Sequence, residues 1–331
     1  MSAKKIAKVA IGTAAGAAAL VGAVIPISYE FILNIPFAAK IGEKFSPAAT
    51  EVPEEENTEP VEIPEGPTEQ ERFGAAVGEW NSTHQAQDLF ITNEKGQKRH
   101  AKVFDNGHPD KWAIIFHGYT SNPCGMYHYA FCYAEMGFNC LLPSMIGHGD
   151  DPNSHCSMGY HDRYMGIDFI NHLVSLYPDC EIALHGESMG AATTMLITGE
   201  KLPSNVKCAV SDCGFTTVFE EYTHVTKKQI SPYLVPLLPA ISKYSELRGN
   251  FNFKKCAPVE AVRNSVTPTL FVHGEADDFV PFRMLGEVYE ACSAQKEFFT
   301  VKKAEHAQSS TLAPKLYWTN VYNFVKKYIE L

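Results

Sequence analysis

"QDLFIT" at 87–92 and "KRHAKVF" at 98–104 alternate apolar with polar positions, the pattern of strands with one wet face. "KWAIIFHG" at 111–118 is apolar almost throughout, as in a strand covered on both faces. Beyond it, "FNCLLP", "CEIALHG", "VKCAVSDC", "TPTLFVHG" and "KEFFTVK" predict further strands. Between and after them, "MYHYAFCYAEMG", "RYMGIDFINHLVSLYP", "MGAATTMLITGEKL", "MLGEVYEACS" and "LAPKLYWTNVYNFVKKYI" predict helices. Such alternation predicts an α/β fold, a mostly parallel, doubly wound sheet with helices on both faces. It breaks between Gly214 and Pro268, where "ISPYLVPLLPAI" carries three prolines. That run is too short and too interrupted for a membrane span. Residues 214–260 are read as a small lid over the sheet edge; the alternative is an excursion with no gating role.

The N-terminal part reads differently. Lys4, Lys5 and Lys8 precede Val9 to Tyr29, a stretch of 21 residues without a charge. At about 1.5 Å per residue it matches the roughly 30 Å of a bilayer core. The lysines place the N-terminus in the cytoplasm and send the rest across. An uncleaved signal-anchor in the cell membrane is the leading expectation, with an extracytoplasmic domain beyond it. A secreted chain released after signal cleavage is the alternative. Residues 46–72 hold nine Glu, five Pro and one basic residue. Such a segment buries little and repels itself, so it predicts an extended, disordered linker. The expected organisation is therefore 1–45 anchor and juxtamembrane segment, 46–72 linker and 73–331 catalytic domain.

Composition narrows the picture modestly. The 331 residues are 45% hydrophobic and 20% charged, with net charge −10 and no Lys/Arg cluster after the first eight positions. This argues against a nucleic-acid partner. The nine cysteines include no CxxC pair and no zinc-like spacing, and several adjoin apolar strands. Mostly free thiols are expected.

The chemistry gathers around "LHGESMG" at 184–190. A strand leads into it and a helix leads out. Glycines at 186 and 190 clear the space that neighbouring Cβ atoms would fill in a tight strand-to-helix turn. The turn lifts the Ser188 hydroxyl to the carboxyl edge of the sheet, where open α/β sheets bind ligands. A serine needs a histidine base, and the base needs a carboxylate to orient it. In this architecture they follow in the order Ser, Asp/Glu, His, each past a later strand. "FVHGEADDFVP" supplies Asp277 and Asp278, and "VKKAEHAQSS" supplies His306, the one histidine downstream of them.

From residue 85 onward the chain resembles the α/β-hydrolase family, in its serine esterase, lysophospholipase-like and S9-peptidase-like branch, of membrane-anchored bacterial type. The residues are "FHGYTSN" (116–122), "GHGDDPNS" (147–154), "GESMG" (186–190), "HGEADDFVP" (273–281) and "EHAQS" (305–309). The family places its acid at the fourth position after the histidine of "HG-x-x-D", which selects Asp277 over Asp278. Two backbone N–H groups should face the oxyanion of a tetrahedral intermediate. The resemblance implies Met189, after the nucleophile, and Tyr119, after the third strand. The Tyr119 side chain is a candidate wall of the acyl pocket. There is no "HGGG", so the likeness is to the HG-x branch. The "GHGDD" loop, with His148, is implied to lie near the rim. "YHDRYM" departs from a W-x-D-R-x-D pattern of the branch, with Tyr160 and Met165 replacing its ends. Asp162 and Arg163 are expected to pair at a helix start.

The remaining candidates take structural readings. His117, His185 and His273 precede glycines at strand ends and are expected to find local partners. Cys124 and Cys213 lack both flanking glycines and a following base. No metal or cofactor is expected. The functional expectation is a serine hydrolase acting on acyl esters or lipid-like small molecules. A peptidase, amidase or acyltransferase with the same residues is the alternative, and a non-catalytic surface binding module is the alternative of another class.

Overall fold

A computed structural model describes residues 24–30, 32–34, 67–151, 153 and 155–331. Eight strands form one sheet in the order β1-β2-β4-β3-β5-β6-β7-β8. They are β1 (Gln87–Thr92), β2 (Lys98–Phe104), β3 (Lys111–Phe116), β4 (Asn139–Pro143), β5 (Glu181–Glu187), β6 (Val206–Asp212), β7 (Thr269–Gly274) and β8 (Lys296–Val301). β2 pairs antiparallel with β1 and β4, and the other neighbours are parallel. The expected mostly parallel, two-faced α/β sheet is what forms.

The period-2 geometry of the strands sorts the core into two layers. Trp112, Ile114 and Phe116 of β3, with Ile182 and Leu184 of β5, face helices Asp162–Leu176 and Met189–Thr198. Ala113, Ile115 and Ala183 face the other way, onto helices Tyr127–Glu135 and Pro314–Val325. This explains why β3 and β5 read as unbroken apolar runs: both faces are covered. β1, at the edge, keeps Phe90 exposed and alternates.

Described helical structure begins ahead of Phe73, the expected start of the catalytic domain. Helix Glu69–Thr83 takes in the last residues of the expected linker. Thr68 accepts from the Glu71 N–H and Glu71 reaches back to the Thr68 N–H, a capping box that satisfies two end donors. Gln70 Nε2 donates to the Leu312 carbonyl, and Glu69 accepts from the Lys315 N–H, which ties the helix to the C-terminal one. Residues 46–66 lie outside the described residues.

Most of the expected span, Val9 to Tyr29, also lies outside the described residues. Among the described residues no helix is long and apolar enough to cross a membrane. The end of that stretch has another environment. Residues 24–30 and 32–33 are helical, and Tyr29 and Leu33 are buried in the main core. Tyr29 stacks on His155 and meets Tyr244 edge-on. The Leu33 carbonyl accepts from the Cys156 N–H. Tyr29 therefore packs as part of the folded body around the sheet.

The 214–260 excursion is helical. It holds Val218–Val225, two irregular turns over Thr226–Ile230 and Pro232–Leu237, and Leu238–Leu247. Ile230, Tyr233 and Leu247 point outward. All nine cysteines are free, and only Cys124 is exposed.

Candidate active site

Parallel strands end on one edge, so the segments after β3, β5, β6, β7 and β8 converge there. Ser188 follows β5 directly and caps helix Met189–Thr198 with φ 56° and ψ −115°. That backbone is strained for a residue with a Cβ. The packing around it forces the turn. A Cβ on Gly186 would stand 2.1 Å from the Gly190 carbonyl oxygen, and one on Gly190 would stand 2.0 Å from that of Phe116. Both approaches require glycine. The Ser188 N–H donates to the Asp212 carbonyl at 2.8 Å, locking the elbow to β6.

Asp277 and His306 meet this serine. His306 Nε2 is 2.8 Å from Ser188 Oγ, and Nδ1 is 2.8 Å from Asp277 Oδ2. The fitting tautomer has Nδ1–H donating to Asp277 and Nε2 accepting from the hydroxyl. Asp277 is held in turn: Oδ1 accepts from the N–H groups of Phe279 and Val280. His273 Nε2 lies 3.3 Å from Oδ2. Burial pushes the Asp277 carboxyl up, but hydrogen bonds from His273 and His306 outweigh it and hold the group at about 2. Phe279 lies against the His306 ring at 4.8 Å. Asp278 offers only its backbone carbonyl, to His224.

Met189 is the first residue of its helix, with its N–H at the positive end. The N–H groups of Met189 and Tyr119 have no acceptor among the described residues. The loop carrying Tyr119 is fixed by His148, whose Nε2 accepts from the Thr120 N–H at 3.1 Å. His117 Nε2 accepts from the Met145 N–H on the same side. The rim position expected of the "GHGDD" loop thus comes with a bond of its own. The Tyr119 hydroxyl donates to the Ile32 carbonyl at 2.7 Å. That side chain is turned to the N-terminal segment, a partner its sequence neighbourhood gives no sign of.

Other expectations are corrected or refined. Asp162 and Arg163 do not pair. Asp162 is fully buried and accepts from the N–H groups of Ile146 and Gly159 and from Ser157 Oγ, bracing the 146–159 loop. Arg163, the next residue along the helix, points elsewhere. It pairs with Glu200 at 2.9 Å and lies over the rings of Tyr160 and Tyr164. His185 is bonded by Tyr133 and Tyr317 in the opposite core layer, as a structural histidine. Cys213, Asp277 and His306 bring their ligand-type atoms within 4.8 Å of one another. Burial pushes the Cys213 thiol well up, and His306 Nδ1 is committed to Asp277, so this set is poorly suited to a metal. A cavity of about 940 Å³ opens beside Tyr29, Arg99, His155 and Arg248, and none of Ser188, Asp277 and His306 lines it.

Comparison with known proteins agrees with this architecture. The sequence pattern described as the prolyl oligopeptidase family (Peptidase_S9) matches residues 159–331. Among curated relatives, the uncharacterized protein YqkD of Bacillus subtilis is 28% identical over 217 residues, 64% of this chain and 70% of the relative. Among solved structures, the esterase Pf2001 of Pyrococcus furiosus superposes with a TM-score of 0.61 at 22% identity, covering 74% of this chain and 93% of that one. The acylaminoacyl peptidase of Pyrococcus horikoshii superposes with a TM-score of 0.55 at 17% identity, covering 75% of this chain and 43% of that one. At these identities the structures speak to the fold, and the fold they share is the α/β-hydrolase fold. With the family pattern spanning β5 through the final helix, the chain belongs to the prolyl oligopeptidase family of hydrolases.

Proposed function

We propose that this protein is a serine hydrolase that works through an acyl-enzyme, with acyl esters as its substrates. The observation that carries the reading is the continuous line from Ser188 Oγ through His306 to Asp277, 2.8 Å at each step. In this reading His306 takes the hydroxyl proton as Ser188 attacks the acyl carbon. The N–H groups of Met189 and Tyr119 stabilise the charge on the acyl oxygen. His306 then delivers the proton to the leaving alkoxide. Water, deprotonated by His306, attacks the acyl-serine and releases the acid. Asp277 stabilises the imidazolium throughout.

Two features favour an ester with an apolar acyl group. The helical excursion after β6 turns Ile230 and Tyr233 outward. Pf2001, whose solved structure this chain covers to 93%, is an esterase. Peptide or amide substrates are the second reading, supported by the family itself and by the likeness to an acylaminoacyl peptidase. The uncharged stretch from Val9, behind Lys4, Lys5 and Lys8, supports membrane attachment with the catalytic domain outside the cytoplasm. Alkaline carbonate extraction of membranes tests that attachment.

A fluorophosphonate probe tests the chemistry. Covalent labelling of the wild type that disappears in Ser188→Ala is expected; absence of labelling in folded wild type refutes the reading. p-Nitrophenyl esters of graded acyl length, beside aminoacyl p-nitroanilides, then separate esterase from peptidase.

A further inference from the structure

Directly behind the nucleophile, two acids converge on one hydroxyl. Glu187 precedes Ser188, and Asp212 ends the adjacent strand β6. Tyr129 Oη is 3.1 Å from Glu187 Oε2 and 3.3 Å from Asp212 Oδ2. Tyr129 and Asp212 are fully buried, and no lysine or arginine is among the groups acting on either acid.

A phenol has one hydrogen to give. If both acids were ionised, one would face a lone pair and the two would repel each other, with Asp212 fully buried and Glu187 half-buried. The array closes when one proton stays on an acid: the Glu187 carboxyl donates to Tyr129, and Tyr129 donates to the Asp212 carboxylate. The Tyr317 hydroxyl also acts to hold Asp212 down, while Asp212 Oδ1 has no partner within hydrogen-bond geometry among the described residues. Burial first, and then the Asp212 charge, push Glu187 up to about 8. Burial raises Asp212 to about 6, against the pull of Tyr317, His273, His306 and Tyr129. Two of the surrounding imidazoles bring little positive charge, because burial lowers His185 to about 3 and His128 to about 4. The Cys213 thiol beside Asp212 is pushed well up by burial and stays neutral.

The position of this carboxyl gives it a bearing on the reaction. A Cβ on Gly118 would lie 3.6 Å from Glu187 Oε1 and 3.5 Å from Ser188 Cβ. The acid therefore abuts the residue before Tyr119, under the pocket assigned to the oxyanion.

We propose that Glu187 is a positioning residue, kept as a neutral hydrogen-bond donor by Tyr129 and Asp212, and that loss of its proton to solvent slows acylation by setting a negative charge against the developing oxyanion. The proposal rests on the serine-hydrolase reading above.

Glu187→Gln tests it, since the amide N–H can donate to Tyr129 in place of the carboxyl and cannot ionise. The rate of fluorophosphonate labelling is followed from pH 6 to 10. The wild-type rate should fall above pH about 8, while that of Glu187→Gln stays level, a difference on the order of tenfold by pH 9.5. Thermal unfolding gives a readout independent of activity. The native state holds a proton that the unfolded chain releases above 4.5, so wild-type stability should decline between pH 4.5 and about 8, and that of Glu187→Gln should decline less. An alkaline loss of labelling that is the same in both proteins overturns the proposal. So does a folded Glu187→Gln that fails to label at every pH. If the stability difference appears but wild type never labels, the hydrolase reading falls and takes the catalytic half of the proposal with it.

Discussion

Asp277 Oδ2 lies 2.8 Å from Nδ1 of His306. The side chain of Asp277 is wholly buried and held at about 2, well below its ordinary 3.8. A buried acid stays ionised here because the Phe279 and Val280 N–H groups and His306 donate to it, with His273 Nε2 3.3 Å away. Asp277→Asn should lower kcat roughly 10⁴-fold with little change in KM, because the amide favours the wrong imidazole tautomer. The carboxylate also carries a stability signature. Its folded pKa is depressed, so its contribution is present above pH 3.8 and is lost as pH falls towards about 2. That contribution is about 2 kcal/mol. Urea unfolding at pH 6 and pH 2 should show the gap between wild type and Asp277→Asn closing at the lower pH.

Ser188 sits on a strained backbone. Its φ of 56° suits glycine better than serine. Ser188→Gly should unfold at a higher temperature than wild type, by about 1 kcal/mol in stability, while losing all labelling. Ser188→Ala keeps a Cβ and should show no such gain. Equal melting temperatures for the glycine and alanine variants would rule out strain at this residue.

The neighbouring glycine has the opposite sensitivity. Gly190→Ala places a methyl group 2.0 Å from the Phe116 carbonyl oxygen, where only backbone can yield. The expected loss is above about 4 kcal/mol, seen as insoluble or protease-sensitive protein. A Gly190→Ala protein with native melting behaviour would contradict the packing of β5 and its helix against β3.

Glu221, in helix Val218–Val225, is buried, and neither carboxylate oxygen has a hydrogen-bond partner among the described residues. Burial first, then the charge of Asp277, raise it to about 8 against the pull of Arg283. A raised acid contributes most below the unfolded value of 4.5, and that contribution fades as pH climbs to about 8. Glu221→Leu should therefore gain on wild type as pH rises from 5 to 8, when chemical denaturation is compared at the two values. A constant difference across that range would mean that the carboxyl finds a partner.

Tyr119 separates backbone from side chain. If the N–H is the group that serves the reaction, Tyr119→Phe should keep kcat essentially intact. It loses the bond to the Ile32 carbonyl, worth about 1 kcal/mol. Limited proteolysis should then cut near residues 24–34 sooner than in wild type. A large fall in kcat would move the hydroxyl into the reaction.

Local rules carried much of this protein. Unbroken apolar runs such as "KWAIIF" and "EIALHG" announced strands covered on both faces, because a strand's alternate side chains must each meet an apolar layer. The glycines at 186 and 190 announced the elbow because a Cβ has no space there. The order of Ser188, Asp277 and His306 along the chain followed from parallel strands ending on one edge. The capping box at Thr68 went unread, because the proline and glutamate around it made that stretch read as linker. Only the tertiary structure decided that Tyr29 and Leu33 join the core, that Arg163 reaches Glu200 and not Asp162, and that Tyr129 bridges Glu187 and Asp212. Each of these depends on which distant segments the sheet order brings side by side. A periodic pattern records which side of an element is apolar, and it holds no record of what will lie against it.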